Sequence, residues 1–278
     1  SVITDEGRDC LSDLLTMLIL PCNIFLSFEG NTDMSALKSS LLTVIISVLV
    51  MLCTAILGKV IYRHREERKA KVFRYGLVNS NALFIGLPII QSLLGDAGVL
   101  QLSMYMIFVR MFCWSYGLSL YTGVKSDWKG SFKRLLTHPC MIAAALGVAA
   151  MVTGIRLPAF LDRTLQYVSS CLMALSMLLI GVVLSEIKLK EVFRGDVWRF
   201  TALRLGVMPG IVFGLCKLCG VPYIVTATCT LVSGMPAASL TAVLAARYHG
   251  DSELGALLVA VSTILSAVTI PLWFMILQ

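Results

Sequence analysis

Gly76-Leu77-Val78-Asn79-Ser80-Asn81-Ala82-Leu83-Phe84-Ile85-Gly86-Leu87-Pro88 is an apolar segment interrupted by two asparagines, a glycine and a proline. Proline lacks a backbone donor, and its ring clashes with the preceding turn of a helix. In a bilayer each unsatisfied backbone group costs several kcal/mol. A break there is tolerated only where the backbone is buried in protein or lines a cavity. The segment closes on Gly95-Asp96, and a long apolar helix follows. A second segment has the same order of parts. Gly234-Met235-Pro236 interrupts it, Gly250-Asp251 closes it, and another long apolar helix follows. The two Gly-Asp pairs are 155 residues apart.

The surroundings of both segments call for a bilayer. The 278 residues are 58% hydrophobic with mean hydropathy +0.86, and only 14% are charged. Soluble domains carry roughly a quarter charged residues. Nine apolar segments are candidate spans: about 11–28, 36–62, 76–94, 98–122, 139–153, 164–185, 197–217, 221–245 and 255–277, of which the fifth is short. The net charge of +7 sits in short blocks between them, which argues for membrane loops and against a nucleic-acid partner. One set of alternate loops holds Arg8, the seven basic residues from Lys59 to Arg74, Lys125, Lys129, Lys133, Arg134, Lys188, Lys190, Arg194, Arg199 and Arg247. The other holds Lys38, Arg156, Arg163 and Lys217. Seventeen against four places Ser1 in the cytoplasm and Gln278 outside, in a multi-pass protein of the cytoplasmic membrane.

By that count Gly95 is outside and Gly250 inside, so the two copies are oppositely oriented. An odd number of helices per repeat produces such an inversion. The fold class expected is an all-α integral membrane protein of two inverted five-helix repeats with two crossing broken helices. The repeats are 1–138 and 139–278, and the moving region includes 76–122 and 221–278. The first repeat then lacks its opening helix, which leaves nine spans; either a tenth helix is expected to be missing from this sequence, or the protein natively has nine.

Gly/Pro-interrupted segments at matched places of two halves point to a transporter site. Two half-helix N-termini meeting at mid-membrane would present partial positive charge to one spot, which suits a carboxylate. Candidate substrate-binding residues are Asn79, Asn81, Gly86 and Pro88 on one segment and Ser233, Gly234 and Pro236 on the other. Asn23, just after Pro21, either faces the same cavity or accompanies a plain kink. Thr226, Thr228, Thr230, Ser233, Ser239 and Thr241 either bind ligand or bond between helices. Thr230, Ser233 and Ser239 are candidate oxygen donors for Na⁺. Arg110 lies near the middle of the fourth segment, where a charge is costly and points to function. It is either the counter-charge of an anionic substrate or the partner of a carboxylate such as Asp13. Arg204, in Arg204-Leu205-Gly206-Val207-Met208-Pro209, is expected to bond helix ends.

Other chemistries find little support. Cys216 and Cys219 form a C-x-x-C with no second pair or histidine cluster nearby, so the cysteines are expected to be small hydrophobes. Neither an H-E-x-x-H motif nor a nucleophile with its base is evident, and no enzyme activity or cofactor is expected. His64, His138 and His249 fall in loops, Glu186 closes the sixth segment, and Asp96 and Asp251 are placed to cap following helices. Coupling to H⁺ or Na⁺ stays open at this stage. Ser1 to Asp9 lacks the basic start and apolar core of a signal peptide.

The chain resembles the auxin efflux carrier family, which includes plant PIN carriers and bacterial homologues. Asn81 to Pro88 with Gly95-Asp96 resembles the first crossover helix, and Gly234-Met235-Pro236 through Tyr248-His249-Gly250-Asp251 the second. Ser262-Thr263-Ile264-Leu265-Ser266 with Ile270-Pro271-Leu272 resembles the last helix. Ile3-Thr4-Asp5-Glu6-Gly7 with Leu20-Pro21 resembles the first loop and second helix. The resemblance implies ten helices, an elevator-type crossover domain moving against a scaffold, an organic-acid substrate and a homodimer. Arg110 stands where other members commonly carry an uncharged polar residue, which weighs against auxin itself. The expected function is secondary active transport of a small organic anion, either auxin-like or a mono- or dicarboxylate, by alternating access. The rival is a membrane receptor or sensor that binds a small ligand without moving it.

Overall fold

The structure is a computed structural model that describes residues 5–29, 34–122, 137, 139–154, 157–185, 194–248 and 250–278. Ser1, Ile3, Thr4, the basic loop residues Lys125 to Arg134, Lys188 and Lys190, and His138, Arg156, Glu186 and His249 lie outside the described residues. Helix α1 covers 5–29 and α2 Met34–Ile61. Helix α3 is Glu67–Val78, followed by α4 at 82–94 and α5 at 96–122. Helices α6 and α7 are Pro139–Thr153 and Ala159–Ser185. Helix α8 is Gly195–Leu218, α9 Tyr223–Ser233, α10 Leu240–Arg247 and α11 Ser252–Leu277. Seven of the nine apolar segments fall on single helices or nearly so, and the third and eighth each run across a break, at 79–81 and 234–239. Ser39–Ile61, Ala82–Tyr121, Gly195–Leu218 and Ser252–Leu277 are long and apolar enough to cross a membrane by length and composition.

Helix α2 shows the environment most plainly. Leu41, Ile45, Leu49, Leu52, Ile56 and Val60 recur every three or four residues, and all are exposed. Ser40, Thr43, Ser47 and Thr54 face the protein and are buried. A helix in water buries its apolar stripe instead. The inward hydroxyls are satisfied locally, Thr43 on Ser39, Ser47 on Val44 and Thr54 on Val50 carbonyls. Thr43 also bonds the amide oxygen of Gln101, tying α2 to α5 inside the protein. Helix α1 packs on α6 and α7, and α8 packs on α9 and α11. Helices α3 and α10 both lie against α11.

Three prolines share one device. A wide π turn precedes each by two residues: Leu15–Ile19 before Pro21, Ala82–Gly86 before Pro88, and Leu203–Val207 before Pro209. The added residue moves the carbonyl that the ring would strike, so the helix continues. The break expected at Gly86 and Pro88 is therefore elsewhere. Backbone leaves the helix at Asn79-Ser80-Asn81, and Pro88 lies in the first turn after the π turn. The second break, 234–239, does contain Pro236. Gly95 separates α4 from α5 with φ of 63°, a conformation that costs glycine little.

Each π turn leaves a carbonyl to place. Leu205 lies four residues before Pro209, so its oxygen has no N–H at the usual position. The Trp273 indole on α11 donates to it at 2.8 Å. Trp273→Phe keeps an aromatic ring but removes this donor together with part of the indole's bulk. It should cost about 1–3 kcal/mol, read as a lower unfolding midpoint in detergent. An unchanged midpoint would mean that the carbonyl has another donor.

Candidate functional site

The two breaks lie against each other. Ser80 and Ala237 form an isolated antiparallel bridge. The Asn81 N–H donates to the Pro236 carbonyl at 2.8 Å, and the Ala238 N–H to the Asn79 carbonyl at 3.1 Å. Each segment thus answers backbone groups that the other's break has freed. This satisfies the requirement that irregular backbone at membrane depth be buried in protein. Asn79, Ser80 and Asn81 are all buried, as are Gly234, Met235, Pro236 and Ala237.

Four side chains outside the breaks hold the crossing. The Ala237 N–H donates to Ser262 Oγ of α11 at 3.1 Å, and that hydroxyl donates to the Leu258 carbonyl at 2.6 Å. The Asn79 amide donates to the Tyr75 hydroxyl at 3.0 Å, and its oxygen takes the Cys113 thiol at 3.6 Å. Arg204, 2% exposed, reaches both segments. Its Nε donates to the Met235 carbonyl at 3.0 Å and a terminal nitrogen to the Leu77 carbonyl. In an unbroken helix Leu77 would receive the Asn81 N–H, which is spent on Pro236. Met235 lies just past the end of α9. Arg204 is therefore a cation at two helix C-termini, where the dipoles favour one.

The expected site residues divide. Asn79, Asn81 and Pro236 meet at the crossing. Gly86 and Gly234 serve close packing: a Cβ at Gly86 would lie 3.3 Å from Met235, and one at Gly234 3.2 Å from Pro209. The Ser233 hydroxyl is turned back to the Thr230 carbonyl at 2.8 Å. The Thr230 hydroxyl is buried without a hydrogen-bond partner among the described residues, as are those of Thr228, Thr241 and Thr263. Ser239 is half-buried at the start of α10 and makes no side-chain cap. Asn23 donates to Ser169 Oγ of α7 at 2.7 Å, which spends its amide nitrogen on a helix contact. Asp251 caps α11 through Leu254 N at 2.9 Å, whereas Asp96 accepts from Gln91 at 2.9 Å.

Asn81 opens α4 without using its side chain as a cap, so the amide is not consumed there. The first N–H groups of a helix have no intrahelical partner. Against the first turns of α4 lies a narrow cleft of about 10 Å³, room for about one water. Leu83 and Leu87 of α4, Ile24 of α1, Met106 and Ser103 of α5, and Arg110 line it. The Arg110 guanidinium lies 3.8 Å from Cys140 Sγ. The cleft thus combines one cation, one hydroxyl and apolar walls.

Ser262, Trp273 and Tyr75 were not expected in these roles. The signal available for Ser262 is a group of hydroxyls, Ser262, Thr263, Ser266 and Thr269, within a mostly apolar final helix. Nothing in the sequence pairs Tyr75 with Asn79 beyond their spacing of four on a helix.

The family model described as "Membrane transport protein" matches residues 1–274. The chain is 26% identical to an uncharacterized transporter of Methanocaldococcus jannaschii over 98% of this chain and 90% of that protein. It is also 26% identical to an uncharacterized transporter of Methanothermobacter thermautotrophicus, over 99% of this chain and 91% of the relative.

Proposed function

Because this chain belongs to the membrane transport protein family, the auxin efflux carrier family that its motifs resemble, we propose that it is a secondary active carrier for a small organic anion. Two observations carry the proposal: two broken helices meet at Ser80 and Ala237, and Arg110 lines a narrow cleft against the first turns of α4. Alternating access needs a site between parts that can move past one another. Helices α1, α6 and α7, which pack together, are the proposed scaffold. Helices α2 to α5 and α8 to α11 are the proposed moving part, in an elevator-type cycle. The two broken segments belong to inverted repeats. Nine spans, Ser1 in the cytoplasm, and a homodimer through the scaffold complete the proposal.

Asn81 and the helix starts at Ala82 and Leu240 would orient the carboxylate, and Arg110 would balance its charge. Leu83, Leu87 and Met106, which line the narrow cleft, would contact the rest of the molecule once the moving part shifts and widens it. Purified protein in liposomes tests this with labelled auxin, lactate and malate, each with and without Na⁺ and a pH gradient. Saturable uptake of at least one acid is expected. Binding without flux would replace the carrier by a receptor. Neither binding nor flux would remove organic acids as the ligand class.

A further inference from the structure

Sodium-coupled carriers hold the metal with unwound backbone carbonyls and the C-terminal ends of half-helices. This chain has both kinds of oxygen at its crossing. The Leu77 carbonyl belongs to the last turn of α3, and its usual N–H partner is committed elsewhere. The Met235 carbonyl belongs to the unwound break just after α9. Both point at one group, the Arg204 guanidinium. We propose that Arg204 is a built-in cation that occupies this carbonyl site, so that the crossing takes no metal cation from solution.

Placement on the chain supports this. The π turn at Leu203–Val207 contains Arg204, so the device that accommodates Pro209 also shapes the helix that carries the guanidinium. The ion pairs among the described residues, Lys69–Glu66, Lys71–Glu67 and Arg194–Asp196, involve partly exposed groups and leave Arg204 to its carbonyls. Its electrostatic neighbours are the Tyr105 phenol and the Cys113 thiol. A planar fork of donors suits two carbonyls held at fixed positions better than a point charge does. A tethered guanidinium also stays through every step of a cycle, whereas a bound metal ion can leave. The sodium expected near Thr230, Ser233 and Ser239 would then have to bind without the Leu77 and Met235 oxygens.

The inference concerns occupancy of a cation site, read by stability alone, so it can fail while the carrier proposal stands. The experiment measures thermal unfolding of the purified full chain in detergent. The salts are NaCl, guanidinium chloride and choline chloride at equal ionic strength, all far below the molar range in which guanidinium denatures. Wild type and Arg204→Lys retain a cation and should show the same midpoint in all three salts, or the same small offset. Arg204→Gln keeps a donor but loses the charge. It should gain a saturable rise of roughly 2–4 °C in Na⁺ or guanidinium over choline. Arg204→Ala, where it folds, should respond to Na⁺ and more strongly to guanidinium, which fits the vacated fork. The Lys and Gln variants carry the test if the alanine variant does not fold. An equal response of wild type, Arg204→Lys and Arg204→Gln would overturn the proposal, because the site would then be indifferent to the tethered charge.

Discussion

Arg204→Met is expected to lower the unfolding free energy by about 2–4 kcal/mol, an effect large against the total stability of most folded proteins. Two terms oppose each other. Methionine spares the cost of burying a cation at membrane depth, which insertion scales put at about 2.5–3.5 kcal/mol for arginine at a helix centre. That part of the change stabilises. Against it, the Leu77 and Met235 carbonyls lose their donor together. Each buried orphan costs about 1–3 kcal/mol. A cavity opens as well, because the 2%-exposed guanidinium end is not replaced. The orphaned carbonyls win because neither has a fallback: the Asn81 N–H is held by Pro236, and Met235 is outside any helix. Thermal unfolding in detergent should show a midpoint lower by about 5–12 °C. A midpoint within a degree of wild type would mean that Arg204 is a lodged charge, and that other groups hold the crossing.

The membrane class and the apolar segments were legible because lipid exposure is a composition signal summed over many residues. Helix α2 is the clearest instance, since its leucines and isoleucines answer to the bilayer and to no particular neighbour. The position of the first break was not legible. Gly86 and Pro88 look like the interruption, but the π turn at Ala82–Gly86 absorbs the proline, and the chain opens at Asn79-Ser80-Asn81 instead. What decides between the two is a partner 157 residues away, Ala237, whose backbone is ready to bridge Ser80. No local propensity contains that information. Arg204 was legible in kind, since a cation beside a proline in an apolar helix has few options other than helix ends. Which ends it joins depends on the same distant pairing. For the candidate site, residue types could be read but their employment could not. Asn23 and Ser233 are polar groups in the right segments whose donors are spent on Ser169 of another helix and on the Thr230 carbonyl of the same helix, while the buried Asn23 amide oxygen has no hydrogen-bond partner among the described residues.

Arg110→Gln and Asn81→Ala should each remove most of the affinity for an organic anion while leaving the protein folded. The two substitutions are structurally mild for different reasons. Asn81 contributes to the crossing through its backbone, donating to Pro236 and accepting from Ile85 and Gly86 at 3.3 and 3.1 Å, and alanine keeps all of these bonds. Arg110 is half-buried at the wall of the cleft, and glutamine keeps much of its length and a donor for the Cys140 side. Ligand binding gives the readout. A carboxylate at about 100 times its dissociation constant adds roughly 2.7 kcal/mol to wild-type stability. A hydrogen bond to a charged group contributes about 1.5–3 kcal/mol. Its loss weakens binding about 10- to 100-fold, and the same ligand concentration should then stabilise Arg110→Gln by roughly 0.4–1.4 kcal/mol. The neutral amide of the same acid separates charge from shape. Wild type should prefer the acid to its amide, Arg110→Gln should lose that preference, and Asn81→Ala should keep the preference at lower affinity, because it removes an orienting group and no charge. If Arg110→Gln still favours the acid by the wild-type ratio, the counter-charge lies elsewhere, and the helix starts at Ala82 and Leu240 become the first groups to test.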